Sequence, residues 1–129
     1  MIMDIVTVEG DIKNIKYSLN KPSKMRDLEL FLSVSTGPGT YSSDDTVEMA
    51  IMFRDDKGYD FCYDMTGGDV VGWFPANEVQ GFIEWFNTNY ETSGFFVNSD
   101  GSNRNLPNAY LRDPNRKPIV PRYTDTPIL

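Results

Sequence analysis

The sequence predicts an α+β domain: an antiparallel β-meander of about five to six strands with one amphipathic helix packed on it. Three observations predict it. Apolar residues alternate with polar ones through the first half, turn-forming residues separate the alternating runs, and a single run at helical spacing follows. With 129 residues, 40% of them hydrophobic and 13% aromatic, one core is expected rather than two. Residues 1–106 are read as that domain and residues 107–129 as a Pro-rich extended C-terminal arm.

Residues 2–9 are rich in branched side chains and end at Gly10. Residues 12–19 place Ile15, Tyr17 and Leu19 on one face and Lys16 and Ser18 on the other, so the short Gly10-Asp11 connection predicts a hairpin. Asn20, Pro22 and Ser23 break the chain. Leu28, Leu30, Leu32 and Val34 then alternate with Asp27, Glu29, Phe31 and Ser33, which is the clearest strand signal. Residues 36–45 carry a Gly-Pro-Gly-Thr-Tyr-Ser-Ser-Asp-Asp run and read as a long exposed loop.

Val47, Met49, Ile51 and Phe53 fall on one face of a strand over 46–54, and Tyr59, Phe61, Tyr63 and Met65 on one face of a strand over 59–65. The intervening Asp55-Asp56-Lys57-Gly58 closes these two into a hairpin. After a turn at residues 66–69, the apolar run 70–74 is a sixth strand or the approach to a helix. Residues 78–90 then carry Val79, Phe82, Ile83, Phe86 and Tyr90 at helical spacing, with Asn77 as N-cap, Gln80 three residues on, and Gly94 near the stop. Residues 95–98 are read as a returning strand and 99–103 as a polar turn. Beyond Leu106 periodicity is lost, and Pro107, Pro114, Pro118, Pro121 and Pro127 argue for an arm.

The net charge of -7 is unevenly spread. Residues 1–43 are neutral, 44–100 carry twelve acidic against two basic residues, and 101–129 are at +3. The middle of the chain is an acidic pole. This distribution argues against direct nucleic-acid binding, whose affinity comes from neutralising phosphates. No stretch approaches the roughly 20 apolar residues of a membrane helix, and Asp4 and Glu9 interrupt the first ten residues, so the chain is expected to be soluble and cytoplasmic.

Much chemistry is excluded by residue type. There is no histidine and one cysteine, so ordinary zinc sites, histidine-based triads and an internal disulfide are unavailable. No catalytic residue, metal or cofactor is assigned. Asp60 and Asp64 are read on one side of the strand over 59–65 with Cys62 between them. Four residues apart on a strand, their Cα atoms would be roughly 13 Å apart, too far for a glycosidase pair. Cys62, with acids on either side and no histidine, is read as an inert thiol. Residues 98–103 hold oxygen ligands around a Gly but lack the distal Glu and flanking helices of a calcium loop. The turns at 37–40 and 67–68 lack the Gly-Lys-Ser/Thr ending of a phosphate loop.

What remains is an acidic, non-catalytic binding protein that inhibits a basic partner protein, such as a nuclease toxin or another nucleic-acid-processing enzyme. The residues expected to meet that partner are Asp44, Asp45, Asp55, Asp56, Asp60, Asp64 and Asp69, with Tyr41 and Trp85 as exposed anchors. Trp73 and Trp85 are both read as core or rim around the helix, and exposure of Trp85 beside Glu84 is the alternative that would make it an anchor. In size, acidity and strand-rich pattern the chain resembles the small acidic immunity proteins of bacterial toxin systems and phage anti-defence proteins, a resemblance that carries no motif. Two alternatives come from other classes. One is a small-ligand-binding domain with an aromatic pocket of Tyr59, Phe61, Tyr63 and Met65 walled by the helix. The other is a structural subunit or homo-oligomer whose arm reaches a neighbour.

Overall fold

The computed structural model describes residues 5–25 and 27–116. Its centre is a six-stranded antiparallel sheet built from β1 (Ile5–Glu9), β2 (Ile12–Leu19), β3 (Glu29–Thr36), β4 (Thr46–Asp55), β5 (Gly58–Phe61) and β6 (Val71–Pro75). The first five lie side by side in sequence order, and β6 returns to pair with β4. Both β5 and β6 use the same edge of β4: β5 pairs with its last four residues and β6 with Thr46, Val47 and Met49.

Pleat alternation decides which side chains enter the core. Ile15, Tyr17 and Leu19 stand opposite Val34, Leu32 and Leu30 across β2 and β3, and these stand opposite Met49, Ile51 and Phe53 of β4. That face is covered by α2 (Val79–Asn89), which buries Val79, Phe82, Ile83 and Phe86 as its spacing predicts. The helix starts one residue later than expected, after a 3-10 turn at Ala76–Glu78. Asn77 is exposed and does not cap it, while the side chain of Glu78 turns into the protein instead. Backbone N–H of Asn20 donates to Asn87 Oδ1 at 2.8 Å, tying the end of β2 to the helix.

Three expected elements are corrected. The strand over 59–65 stops at Phe61, and the chain turns into the single-turn α1 (Tyr63–Thr66). The cause is a side chain: Thr66 Oγ1, fully buried, accepts the N–H of Ile51 at 2.9 Å, replacing the strand partner that β5 no longer supplies. Cys62 N–H still donates to Ile51 O at 2.8 Å. Replacing Thr66 by Val, of nearly the same shape, leaves the Ile51 N–H buried without an acceptor. We expect a loss of about 1–3 kcal/mol in urea unfolding, with Thr66→Ser recovering most of it. Equal stability of the Val variant would show that the bond contributes nothing.

Residues 95–98 form no strand, only an isolated bridge between Val97 and Asn103. The third correction is the largest. The segment read as the start of an arm is α3 (Leu106–Arg112), packed on the core with Leu106, Pro107 and Tyr110 buried. Pro107 lies in the first turn, where a missing N–H costs nothing, and Asn105 Oδ1 caps the helix by accepting Asn108 N–H at 3.1 Å. Gly67, the left-handed C-cap of α1, sits against this cap: a Cβ there would lie 2.6 Å from Asn105 Nδ2. The rest of the expected arm, residues 117–129, lies outside the described residues.

Candidate functional site

The strand register sets where the predicted partner-binding acids stand. Asp55 and Asp56 occupy the β4–β5 turn, and Asp60 lies on β5 opposite Phe53. Asp64 is on α1, beside the middle of β4, and Asp69 lies in the turn before β6. Asp44 and Asp45 precede the far end of β4, beyond β6. The seven carboxylates therefore run along one edge of the sheet, following a ten-residue strand that spans roughly 30 Å. All are exposed except the half-buried Asp55. Among the described residues, none of the seven forms an ion pair.

Two details of the expected site change. Because β5 ends at Phe61, Asp60 and Asp64 do not share a strand face, and Cys62 is not between them on one. Burial pushes the Cys62 thiol above its ordinary range, and the charge of Asp64 adds to this against the Met65 backbone, which suits an inert thiol. Tyr59 and Phe61 pair with Arg54 and Met52, so they stand on the face away from α2, while Tyr63 and Met65 belong to α1. Of the four side chains expected to line one helix-walled pocket, Phe61 and Tyr63 touch at 5.9 Å between ring centroids, while Tyr59 packs on Phe31 and Met65 is buried in the core.

Trp85 is not an exposed anchor. Its indole N–H donates to Asp113 Oδ2 at 3.2 Å, and its ring lies 4.8 Å from Phe95 and 5.6 Å from Tyr110 between centroids. The guanidinium of Arg104 covers it at 5.9 Å. Tyr110 and Asp113 of this cover belong to the part read as arm, and Phe95 and Arg104 to the segment before it.

Tyr41 is exposed as expected, at 54%, and its neighbour is a residue the sequence reading placed in the core or rim. Trp73 is 61% exposed, and its ring centroid is 5.3 Å from that of Tyr41, with the planes inclined at 55°. β6 carries an extra residue here: between the pairs Val47 with Phe74 and Met49 with Val71, β4 advances two positions and β6 three. Trp73 takes the left-handed backbone of that bulge, φ 51°, and is the only non-glycine residue with positive φ among the described residues. Its N–H donates to Tyr41 O at 2.8 Å, and Tyr41 N–H donates to Glu48 Oε2 at 2.9 Å. A Cβ on Gly72 would lie 2.7 Å from Tyr41 Cβ, so glycine is what lets the two segments meet.

One signal in the sequence points to this exposure. Trp73 and Phe74 are adjacent in a strand, so only one can face the core, and Phe74 is 1% exposed. The pair, together with Glu48, Asp44 and Asp45 of the same end of β4, makes an aromatic platform beside carboxylates, suited to holding a cation or a basic surface.

The described residues hold no cluster of three or more Cys, Asp or Glu able to bind a metal ion, and no helix among them is long and apolar enough to cross a membrane. In the segment that superficially suggested a calcium loop, Asp100 Oδ1 already accepts the N–H and hydroxyl of Ser102, which hold that carboxyl below its ordinary range. No protein-family model matches the chain, and neither a curated protein nor a solved structure does.

Proposed function

We propose that this chain is an acidic, non-catalytic binding protein that inhibits a basic partner, of the kind represented by a nuclease or another nucleic-acid-processing enzyme. The observation that carries the reading is the edge of seven carboxylates without ion pairs, ending at the exposed Tyr41–Trp73 platform. A row of fixed negative charge is complementary to the basic groove of such an enzyme, and it steers association strongly at low ionic strength. Arg54 and Arg116 do not neutralise this edge, since their guanidinium groups are engaged by Glu29 and Glu78.

The test is capture of a partner from lysate of the protein's own source on the immobilised chain, at low and then high salt. A basic protein that is retained at low salt, released at high salt and loses its nuclease or related activity on the chain is the expected result. The quadruple substitution Asp55→Asn, Asp56→Asn, Asp60→Asn and Asp64→Asn should weaken its capture at low salt by about tenfold or more, because each rim charge acts mainly on association. Undiminished capture by that variant would overturn the assignment.

A further inference from the structure

We infer that Tyr41, Trp73 and Glu48 form a subsite for one arginine side chain presented by the partner. This deepens the basic-partner reading and rests on it for the source of the arginine, though not for the chemistry.

The first argument is that neither core packing nor backbone geometry accounts for a tryptophan at position 73. The neighbouring Phe74 fills the core, and Trp73 leaves most of its ring in water. Left-handed backbone is disfavoured for a residue that carries a side chain and free of that penalty for glycine, yet Trp73 adopts it. The cost falls on an exposed aromatic ring whose partner, Tyr41, is fixed by backbone hydrogen bonds at both its N–H and its C=O. Two exposed rings already held against each other, 5.3 Å apart between centroids, lose little freedom when a ligand stacks on them.

The second argument is what the same chain does with its own arginines. Arg54 lies 5.9 Å from the Tyr59 ring centroid and 5.8 Å from that of Phe31 while pairing with Glu29. Arg116 lies 5.8 Å from the Tyr110 ring while pairing with Glu78. Each set is a tyrosine, a carboxylate and a guanidinium. Tyr41 and Glu48, with Trp73 as the second ring, supply the first two members, and among the described residues no ion pair supplies the third. Glu48 uses Oε2 for the Tyr41 N–H, and Oε1 has no partner among the described residues. A planar guanidinium stacks on aromatic rings and donates to carboxylates, the combination that Arg54 and Arg116 each make in this chain. A lysine ammonium, a strongly hydrated point charge, suits such a combination less well.

The two indole N–H resonances give a direct readout, because Trp85 is bonded to Asp113 and Trp73 is exposed. The full chain is titrated with acetyl-Gly-Arg-Gly-Arg-Gly-amide and with its lysine counterpart. The arginine peptide should shift the Trp73 indole signal and leave that of Trp85 in place, and the lysine peptide should bind several-fold more weakly. Tyr41→Ala and Glu48→Gln should each weaken arginine-peptide binding by about fivefold or more. Trp73→Gly, which relieves the backbone and so keeps the fold, should abolish it in calorimetry. Glu91→Gln, an exposed carboxylate away from this end of the sheet, should change nothing. Equal binding of the two peptides, or binding insensitive to Tyr41→Ala, would overturn the subsite. If a basic protein is captured and inhibited while the peptide leaves Trp73 undisturbed, the subsite fails and the function stands. If the peptide binds at Trp73 and no basic partner is retained at low salt, the function fails and the subsite stands.

Discussion

A chain ending at Asn105 is expected to lose its cooperative fold, and one ending at Arg116 to keep it. Leu106 and Tyr110 are 0% and 1% exposed, and the Tyr110 ring sits 5.8 Å from Phe82, 6.4 Å from Phe74 and 5.6 Å from Trp85. Removing both side chains forfeits about 2–5 kcal/mol for the leucine and 3–5 for the aromatic ring, and uncovers Trp85 as well. That sum is comparable to the whole stability of a small domain, about 5–15 kcal/mol. Far-ultraviolet circular dichroism with urea unfolding distinguishes the two lengths: the shorter chain should lack a cooperative transition. A transition at the same midpoint for both lengths would mean that α3 contributes nothing to the core. A point substitution gives a milder form of the same test, since Tyr110→Ala in the full chain should cost about 3–5 kcal/mol.

The legibility of the fold follows from where each residue's determinants lie. The strands β2 to β4 are readable because the face toward α2 carries an unbroken series of aliphatic and aromatic residues, so alternation in the sequence copies the pleat even where Phe31, Ser33 and Ala50 are buried on the other face. The amphipathic α2 was readable for the same reason at a different period. Past Phe61, alternation in the sequence continues through Tyr63 and Met65 although the strand does not. The turn into α1 depends on Thr66 reaching Ile51, a contact fifteen residues away in sequence that no local pattern carries. α3 is hidden for a different reason: the number of prolines suggests an arm, whereas the position of Pro107 directly after Asn105-Leu106 is a helix start. Tyr110 of α3 and Asp113 after it also decide between the two readings of Trp85, in favour of core or rim.

The candidate site divides in the same way. The acids were identifiable by type and density, and the register then gathers Asp55, Asp56, Asp60, Asp64, Asp69, Asp45 and Asp44 along one edge, an arrangement that composition does not contain. Tyr41 was found because its loop is polar and glycine-rich. Its partner Trp73 was missed because an aromatic run reads as core until a bulge turns one member outward, and Gly72 was the local sign of that bulge.

Glu78→Ala is expected to destabilise the protein by about 2–4 kcal/mol, an effect larger than its single ion pair with Arg116 would give on the surface. The carboxylate lies under the 3-10 turn at the start of α2, where its side chain is only 11% exposed. Oε1 accepts the Tyr110 hydroxyl at 2.9 Å, and Oε2 accepts Arg116 Nη2 at 3.2 Å and Nε at 3.4 Å. Arg116 also donates through Nη1 to Leu111 O at 2.7 Å, so one acid joins the N-terminus of α2 to the last turn of α3 and to the residues that follow it. Alanine removes the acceptor that the Tyr110 hydroxyl and the Arg116 guanidinium share in a buried setting, where losing one partner of a polar contact costs more than the bond itself contributes. The expected loss stays below that of a fully buried pair because the Arg116 side chain, 30% exposed, can regain water. Tyr110→Phe alone should cost about 1 kcal/mol. A double-mutant cycle between Glu78→Ala and Arg116→Ala decides whether the three groups act together. Coupling of about 1–2 kcal/mol between them is the expected outcome, and strict additivity would mean that α3 is held by Leu106 and Tyr110 packing with no contribution from the charged latch.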